Sequence, residues 1–388
     1  MISLENEKLV ESIIFGDQFE KPQAEKEKIL LDIIKKQLEA NEKNKNIKKL
    51  YGSNKLEISK LNSLIDVPFI PVNMFKDFDL ITCEENEVAR VLNSSATTTG
   101  NPSKIYLDKA TSRRQSQALI STLKSFLGTK RRPMLIIDNS DVNDRSDKLT
   151  ARGAAVRGLC SFGKDVCYAM KKEDLDSTDL RIDLDKVMEF QDKYKDDDIL
   201  VYGFTYIIWS KFVKTLRDSG IRLNLPNMKL LHSGGWKKLT SQSVGKEEFS
   251  EITAEVFGTK PENIIDFYGM VEQVGVVFID CPYGYKHVPD FAEVIIRDVN
   301  TMEEEGFNKT GIIEVMSILG SSYPSQAILT EDMGELAGVD DCKCGRKGKY
   351  FKFKSRVSKS ETRGCGDTFA EREADHDELL PAGWRIPE

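Results

Sequence analysis

The chain is predicted to be a layered α/β protein with at least partly parallel sheets and a smaller β-rich subdomain. Two observations carry this: short apolar runs of strand length alternate with helical periodicity, and after residue 290 the texture becomes β-rich. At 388 residues and 40% apolar content, the chain buries a large core, as one large domain with subdomains or as two domains. The Lys-rich stretch 35–55 is broken by Glu39, Asn41 and Glu42 and reads as a solvated helix and loop. Leu119, Leu123, Phe126 and Leu127 fall at i, i+4, i+7 and i+8, the packed face of one helix. Phe249, Ile252, Val256 and Phe257 give a second such face. Strands are expected at 134–137, 199–202, 229–231 and 264–267. Residues 292–297 and 311–315 are expected as antiparallel strands, joined by a loop holding Glu303, Glu304, Glu305 and Gly306. A basic strand at 349–354 precedes a hinge at Ser355–Lys359. No internal repeat or low-complexity linker is visible.

The net charge of −7, with Lys and Arg interspersed among Asp and Glu, provides no basic face for nucleic acid. Residues 1–7 lack the basic and apolar regions of a secretory signal, and no apolar run approaches the ~20 residues of a membrane span. A cytoplasmic protein with reduced thiols is expected, since seven cysteines, an odd number, are scattered over a long chain.

Four segments suggest nucleotide chemistry. Tyr268-Gly269-Met270-Val271-Glu272-Gln273 closes an apolar strand and offers an aromatic face, a close backbone and a carboxylate at one point. The hydroxyl-rich run from Ser94 to Lys104, with Ser95, Thr97, Thr98, Thr99 and Gly100, suits phosphate oxygens. His232-Ser233-Gly234-Gly235-Trp236 follows a strand, and its two glycines let backbone approach a flat ring. His232 reads equally as lining an acyl pocket or as a satisfied core histidine. Thr330-Glu331-Asp332 follows the apolar 327–329 and places a carboxylate where ribose hydroxyls can donate to it.

With these motifs in this order, the chain resembles the adenylate-forming acyl ligases, and most closely their acyl-protein synthetase branch, the LuxE family. The likeness extends from Val67-Pro68-Phe69-Ile70-Pro71 through Tyr202-Gly203-Phe204-Thr205-Tyr206 and Gly234-Gly235-Trp236-Lys237 to Arg363-Gly364-Cys365. A more distant similarity, to phenylacetate-CoA ligases, rests on the nucleotide motifs and on Cys342-Lys343-Cys344-Gly345-Arg346. The resemblance implies the N-terminal-domain fold of these ligases over 1–355, an adenylating domain with its β-rich subdomain at about 280–355. A short tail, 356–388, stands in place of the usual lid domain. The resemblance further implies activation of a carboxylic acid of the fatty class by ATP and Mg²⁺, with transfer to a protein thiol and then to an acyl-reductase partner. An oligomer is left open.

Within that frame Glu272 is the Mg²⁺ ligand, because Mg²⁺ is held by one or two carboxylates plus substrate phosphates; its alternative is a helix-start Glu answering the macrodipole. Tyr268 stacks on adenine, with Gly269 and Met270 beside it, Asp332 holds ribose, and Arg356 is a second ribose or phosphate contact or a surface charge. Three departures from the family pattern stand out. Ala96 or Thr97 replaces an early glycine of the phosphate loop, Ser103 replaces a lysine with Lys104 one place on, and Val271 replaces a hydroxyl residue.

Cys365 lies between two glycines with Arg363 and Lys359 nearby, which favours an open, acidic thiol. The resemblance implies that it carries the acyl thioester. The chain has no lysine beyond Lys359, so Lys359 or Arg363 is expected to supply the cationic help of a lid lysine. Cys342 and Cys344, with Cys281 and His287 spaced Cys-x5-His, read either as a Cys3His zinc set or as free thiols at a tight turn. Cys83, Cys160 and Cys167 read as small core residues. Two rival readings stay open: an acyl- or aryl-CoA ligase of the same fold, and a non-catalytic relative that binds nucleotide and scaffolds a partner.

Overall fold

A computed structural model describes residues 4–42, 57–94, 102–143, 151–173, 179–234 and 244–357. The chain divides into two compact units, one from Met1–Ser125, Met270–Phe278 and Tyr283–Glu388, the other from Phe126–Gly269 and Ile279–Pro282.

The second unit is built on five parallel strands in the spatial order Ile264–Gly269, Met228–Ser233, Ile199–Phe204, Arg132–Ile137 and Gly163–Tyr168. Parallel strands are covered on both faces, so they read as unbroken apolar runs, and Arg132–Ile137 is buried at every position. Each expected strand is present and extends one or two residues beyond its apolar stretch. Leu135, Val201 and Leu230 of the sheet pack with Val187 and Phe190 of helix Leu184–Tyr194 and with Phe249, Val256 and Phe257 of helix Lys246–Phe257. Of the predicted stripe on that last helix only Ile252 is partly buried. Because the strands are parallel, Phe204, Ser233 and Gly269 all end at the same sheet edge, where doubly wound folds hold ligands.

The first unit carries a mostly antiparallel sheet in the order Lys286–His287, Lys349–Arg356, Ala327–Val339, Thr310–Ser317 and Ala292–Arg297. The short strand Ile70–Pro71 adds in parallel beside Ile328 and Leu329. Ala327–Val339 alternates buried and half-buried residues along most of its 13 positions, the period-two pattern of a strand with one covered face. Helix Gln23–Glu42 docks through polar contacts: Gln23 Nε2 donates to Glu293 at 2.6 Å and Gln37 Nε2 donates to the carbonyl of Ile318 at 3.0 Å.

Two expectations are corrected. Helix Lys109–Leu127 buries Leu123 and Leu127, but Leu119 and Phe126 are only half-buried. Its covered face instead includes Thr111, Arg114 and Gln115, which hydrogen-bond Ser321, Ser322 and Tyr323 and so need no apolar character. Ser355 and Arg356 are no hinge: they pair with Met333 and Asp332 and finish the strand Lys349–Arg356. Thr330-Glu331-Asp332 continues the strand that the apolar 327–329 opens, with Thr330 and Asp332 on its buried face and Glu331 on the half-buried one.

Gly275 has φ +92°, and a Cβ there would lie 2.5 Å from the carbonyl oxygen of Gln115. Backbone strain and collision coincide, so Gly275→Ala is expected to lose about 2 kcal/mol or more of unfolding free energy, read from a shifted denaturant midpoint.

Candidate active site

In the first unit the chain leaves Met270 in an extended conformation and turns through Val271–Gln273. Both neighbours of the Glu272 side chain are fixed. Gln273 donates to the carbonyl of Ser325 at 2.6 Å and accepts from Ser317 Oγ at 2.7 Å, while the Tyr323 hydroxyl donates to the Glu272 carbonyl at 3.0 Å. Gln115 donates to that same tyrosine oxygen at 3.2 Å. The backbone at Glu272 is therefore held by a buried polar lattice, and the residue is only 7% exposed. Burial raises its pKa above the ordinary carboxylate value, and the Ser103 hydroxyl, a backbone N–H, Lys76 and Arg356 oppose that rise. A desolvated carboxylate facing two cations and a hydroxyl suits a divalent ion brought in with phosphates.

Asp332 sits opposite Arg356 in the ladder, with Arg356 Nε 3.3 Å from Asp332 Oδ1. Its backbone N–H bonds Thr330 Oγ1 at 3.1 Å, which holds the acid in line. The structure thus joins two residues that the sequence suggested separately for the ribose. Lys104 points elsewhere: its ammonium lies 3.1 Å from Asp79 Oδ1, an oxygen also bonded by the Tyr106 hydroxyl at 2.7 Å. The ends of the phosphate-loop segment are clamped, since Ser94 N–H bonds the Ser103 carbonyl at 3.0 Å and Ser103 N–H bonds Ser94 Oγ at 2.8 Å. Ser95, Thr97, Thr98, Thr99, Gly100, Gly235, Lys359, Arg363 and Cys365 lie outside the described residues.

In the second unit, strands Met228–Ser233 and Ile264–Gly269 bring Ser233, Gly234, Tyr268 and Gly269 to the shared sheet edge, with Phe267 opposite Ser233. Gly234 has φ +87°, and a Cβ would press on the Phe204 ring at 3.2 Å, so the glycine serves both conformation and packing. His232 is buried, its Nδ1 2.9 Å from Thr205 Oγ1 and 3.7 Å from Asp266 Oδ1, and its ring lies 4.6 Å from that of Phe249. These contacts match the core-histidine reading.

Cys281, His287, Cys342 and Cys344 are gathered, their ligand atoms all within 4.8 Å of one another. Sequence reasoning missed Lys76 and Tyr323. Lys76 belongs to the helix Met74–Asp77 just beyond Ile70–Pro71, and its Nζ is 4.0 Å from Glu331 Oε2. The signal was present in the quoted Val67–Pro71 segment, whose strand pairing docks that helix beside Glu331.

The acyl-protein synthetase family, LuxE, matches residues 2–373. A long-chain-fatty-acid–luciferin-component ligase of Vibrio harveyi is 22% identical over 316 residues, 79% of this chain and 78% of that protein. The ligase of the same name from Aliivibrio fischeri is 23% identical over 158 residues, 40% of this chain and 41% of its own. Among solved structures, 2-hydroxyisobutyryl-CoA ligase in an open conformation with 2-HIB-AMP and CoA is similar with a TM-score of 0.65. It is 15% identical, and the match covers 87% of this chain and 76% of that one. That likeness is one of fold, and it is the fold of the adenylate-forming ligases expected from the sequence. With the match running from residue 2 to residue 373, the chain belongs to the LuxE acyl-protein synthetase family of adenylate-forming ligases.

Proposed function

We propose that the protein activates a long-chain carboxylic acid with ATP and transfers the acyl group to its own Cys365, from which an acyl-reductase partner takes it. The observation that carries the reading is the buried Glu272 carboxyl, on a backbone held by Gln273 and Tyr323 and influenced by Lys76 and Arg356, in a chain of this family. In the first step a carboxylate oxygen of the acid attacks the α-phosphorus, an acyl-adenylate forms and pyrophosphate leaves. In the second the Cys365 thiolate attacks the acyl carbonyl, the thioester forms and AMP departs with the electron pair.

The residues take the following parts. Glu272 would hold Mg²⁺, which when bound neutralises phosphate charge. Ser95, Thr97, Thr98, Thr99 and Gly100 receive the β- and γ-phosphates, with Lys104 available once released from Asp79. The backbone at Ser233, Gly234 and Gly235 lies along the adenine, Tyr268 stacks on it beside Gly269 and Met270, and Asp332, oriented by Arg356, accepts from the ribose hydroxyls. Lys359 and Arg363 lower the barrier to thiolate attack. Orientation of two anions against one another is the main task, and fixed cations and donors supply it.

Acid-dependent ATP–pyrophosphate exchange is the expected activity. Cys365→Ser should keep exchange and lose covalent acyl labelling; labelling that survives rejects Cys365 as the acceptor, and free acyl-CoA on addition of coenzyme A would replace it with that thiol. Glu272→Gln is expected to lower Mg²⁺-dependent exchange by about a hundredfold or more. The same substitution should stabilise the ligand-free protein. A carboxyl whose folded pKa is raised contributes stability fully present below its ordinary value of 4.5 and lost as pH rises through the folded value. Thermal melts of wild type and Glu272→Gln should therefore diverge at neutral pH, the variant being the more stable, and converge below pH 4.5.

A further inference from the structure

Cys281 lies in the turn between Phe278 and Tyr283, His287 ends the strand Lys286–His287, and Cys342 and Cys344 lie in the turn between Ala327–Val339 and Lys349–Arg356. His287 Nε2 is 3.3 Å from Cys344 Sγ, and the three sulfurs and the imidazole nitrogen all fall within 4.8 Å of each other. A tetrahedral ion with thiolates at about 2.3 Å and imidazole at about 2.1 Å has ligand-to-ligand edges of roughly 3.5–3.8 Å. The four donors already stand at that scale. We propose that they form a structural zinc site with a closed Cys3His ligand set, separate from the nucleotide chemistry.

Two further observations point to a ligand here. The imidazole of His287 is fully buried, packed at its edge by Phe19 and stacked on Tyr350, and its Nδ1 has no hydrogen-bond partner. Among the described residues the cluster-facing Nε2 has only a thiol sulfur, a weak hydrogen-bond partner, within reach, and a metal–nitrogen bond there would replace the solvation that burial removes. A groove of about 450 Å³, lined in part by Phe19, Lys124, Arg346 and Cys344 itself, gives an ion a way to the half-buried sulfur.

The cluster stands at the turn end of the hairpin formed by Ala327–Val339 and Lys349–Arg356, seven ladder positions along the first strand from Asp332. A closed ion with no open coordination position does no chemistry of its own. It fixes the turn to the Lys286–His287 strand.

Elemental analysis of the full-length protein, purified without chelator, tests the proposal. About one zinc per chain is expected, with loss of most of it in Cys281→Ser and in Cys342→Ser, while Cys167→Ser, outside the cluster, retains it. Should those variants fail to fold, the wild type alone decides: replacement by Co²⁺ should give the intense visible bands of a tetrahedral thiolate site. Removal of the ion should lower the melting temperature by about 5 °C or more. A wild type that holds no stoichiometric zinc and gives no cobalt–thiolate spectrum overturns the site, and stoichiometric iron or copper overturns its assignment to zinc. The result is independent of the ligase reading, since a protein with one zinc and no pyrophosphate exchange would reject that reading and leave this one standing.

Discussion

The antiparallel ladder between Ala327–Val339 and Lys349–Arg356 is the constraint on which the rest of the first unit depends. Near one end it sets Arg356 opposite Asp332; its turn carries Cys342 and Cys344; and the edge of its first strand receives Ile70–Pro71, which docks Lys76 beside Glu331. The ladder shifts register twice, between Met333 and Gly334 and between Leu336 and Gly338. A shift re-aims the side chains that follow it, so the pairing at Asp332 depends on an irregularity placed immediately after it. Gly334 and Gly338 fit there because a Cβ at Gly334 would meet Ile313 and one at Gly338 would meet the Tyr350 hydroxyl.

Around this ladder the protein buries charge rather than avoiding it. Lys26 and Glu293 are fully buried with 3.4 Å between Nζ and Oε2, and Lys349 Nζ is 3.7 Å from the other carboxylate oxygen. Burial alone would push the Glu293 carboxyl up, but the two ammonium groups outweigh it and hold the pKa below the ordinary value. Arg297 pairs with the buried Glu314 and lies over the Phe69 ring. Such pairs repay little net stability, since desolvation cancels most of the attraction. They discriminate against misplacement, because a helix Gln23–Glu42 slipped by one turn would take Lys26 away from Glu293 and leave a buried carboxylate short of a cation. Directional contacts fix a docking that hydrophobic burial alone would leave loose.

Much of the second unit was legible in the chain because its strands are covered on both faces and announce themselves as unbroken apolar runs, as at Met134–Ile137 and Ile264–Phe267. The motifs that end those strands were legible for the same reason, and Gly234 and Gly269 stand at strand ends as their residue types suggested. What escaped was polar and long-range. Thr111, Arg114 and Gln115 are buried against a distant serine-rich loop, and polar residues on a helix read as solvated until their partners are known. That Thr330 and Asp332 point to the buried side of a 13-residue strand was not legible, because buried polar groups depend on partners such as the Ile313 carbonyl and Arg356 that lie elsewhere in the chain. Lys76 has its significance only beside Glu272 and Glu331, which no local pattern encodes. The four metal-type ligands were readable as types; their convergence is a property of the fold.

The docking of Gln23 on Glu293 spans 270 residues of chain. During synthesis at about 5–20 residues per second, the amino-terminal helix emerges roughly a quarter of a minute to a minute before its partner exists. Its apolar face, with Leu30, Ile33, Ile34 and Leu38, has no sheet to cover it for that interval. The helix therefore waits for its polar docking partner until the strand that carries Glu293 has been made, and the two can join only after that.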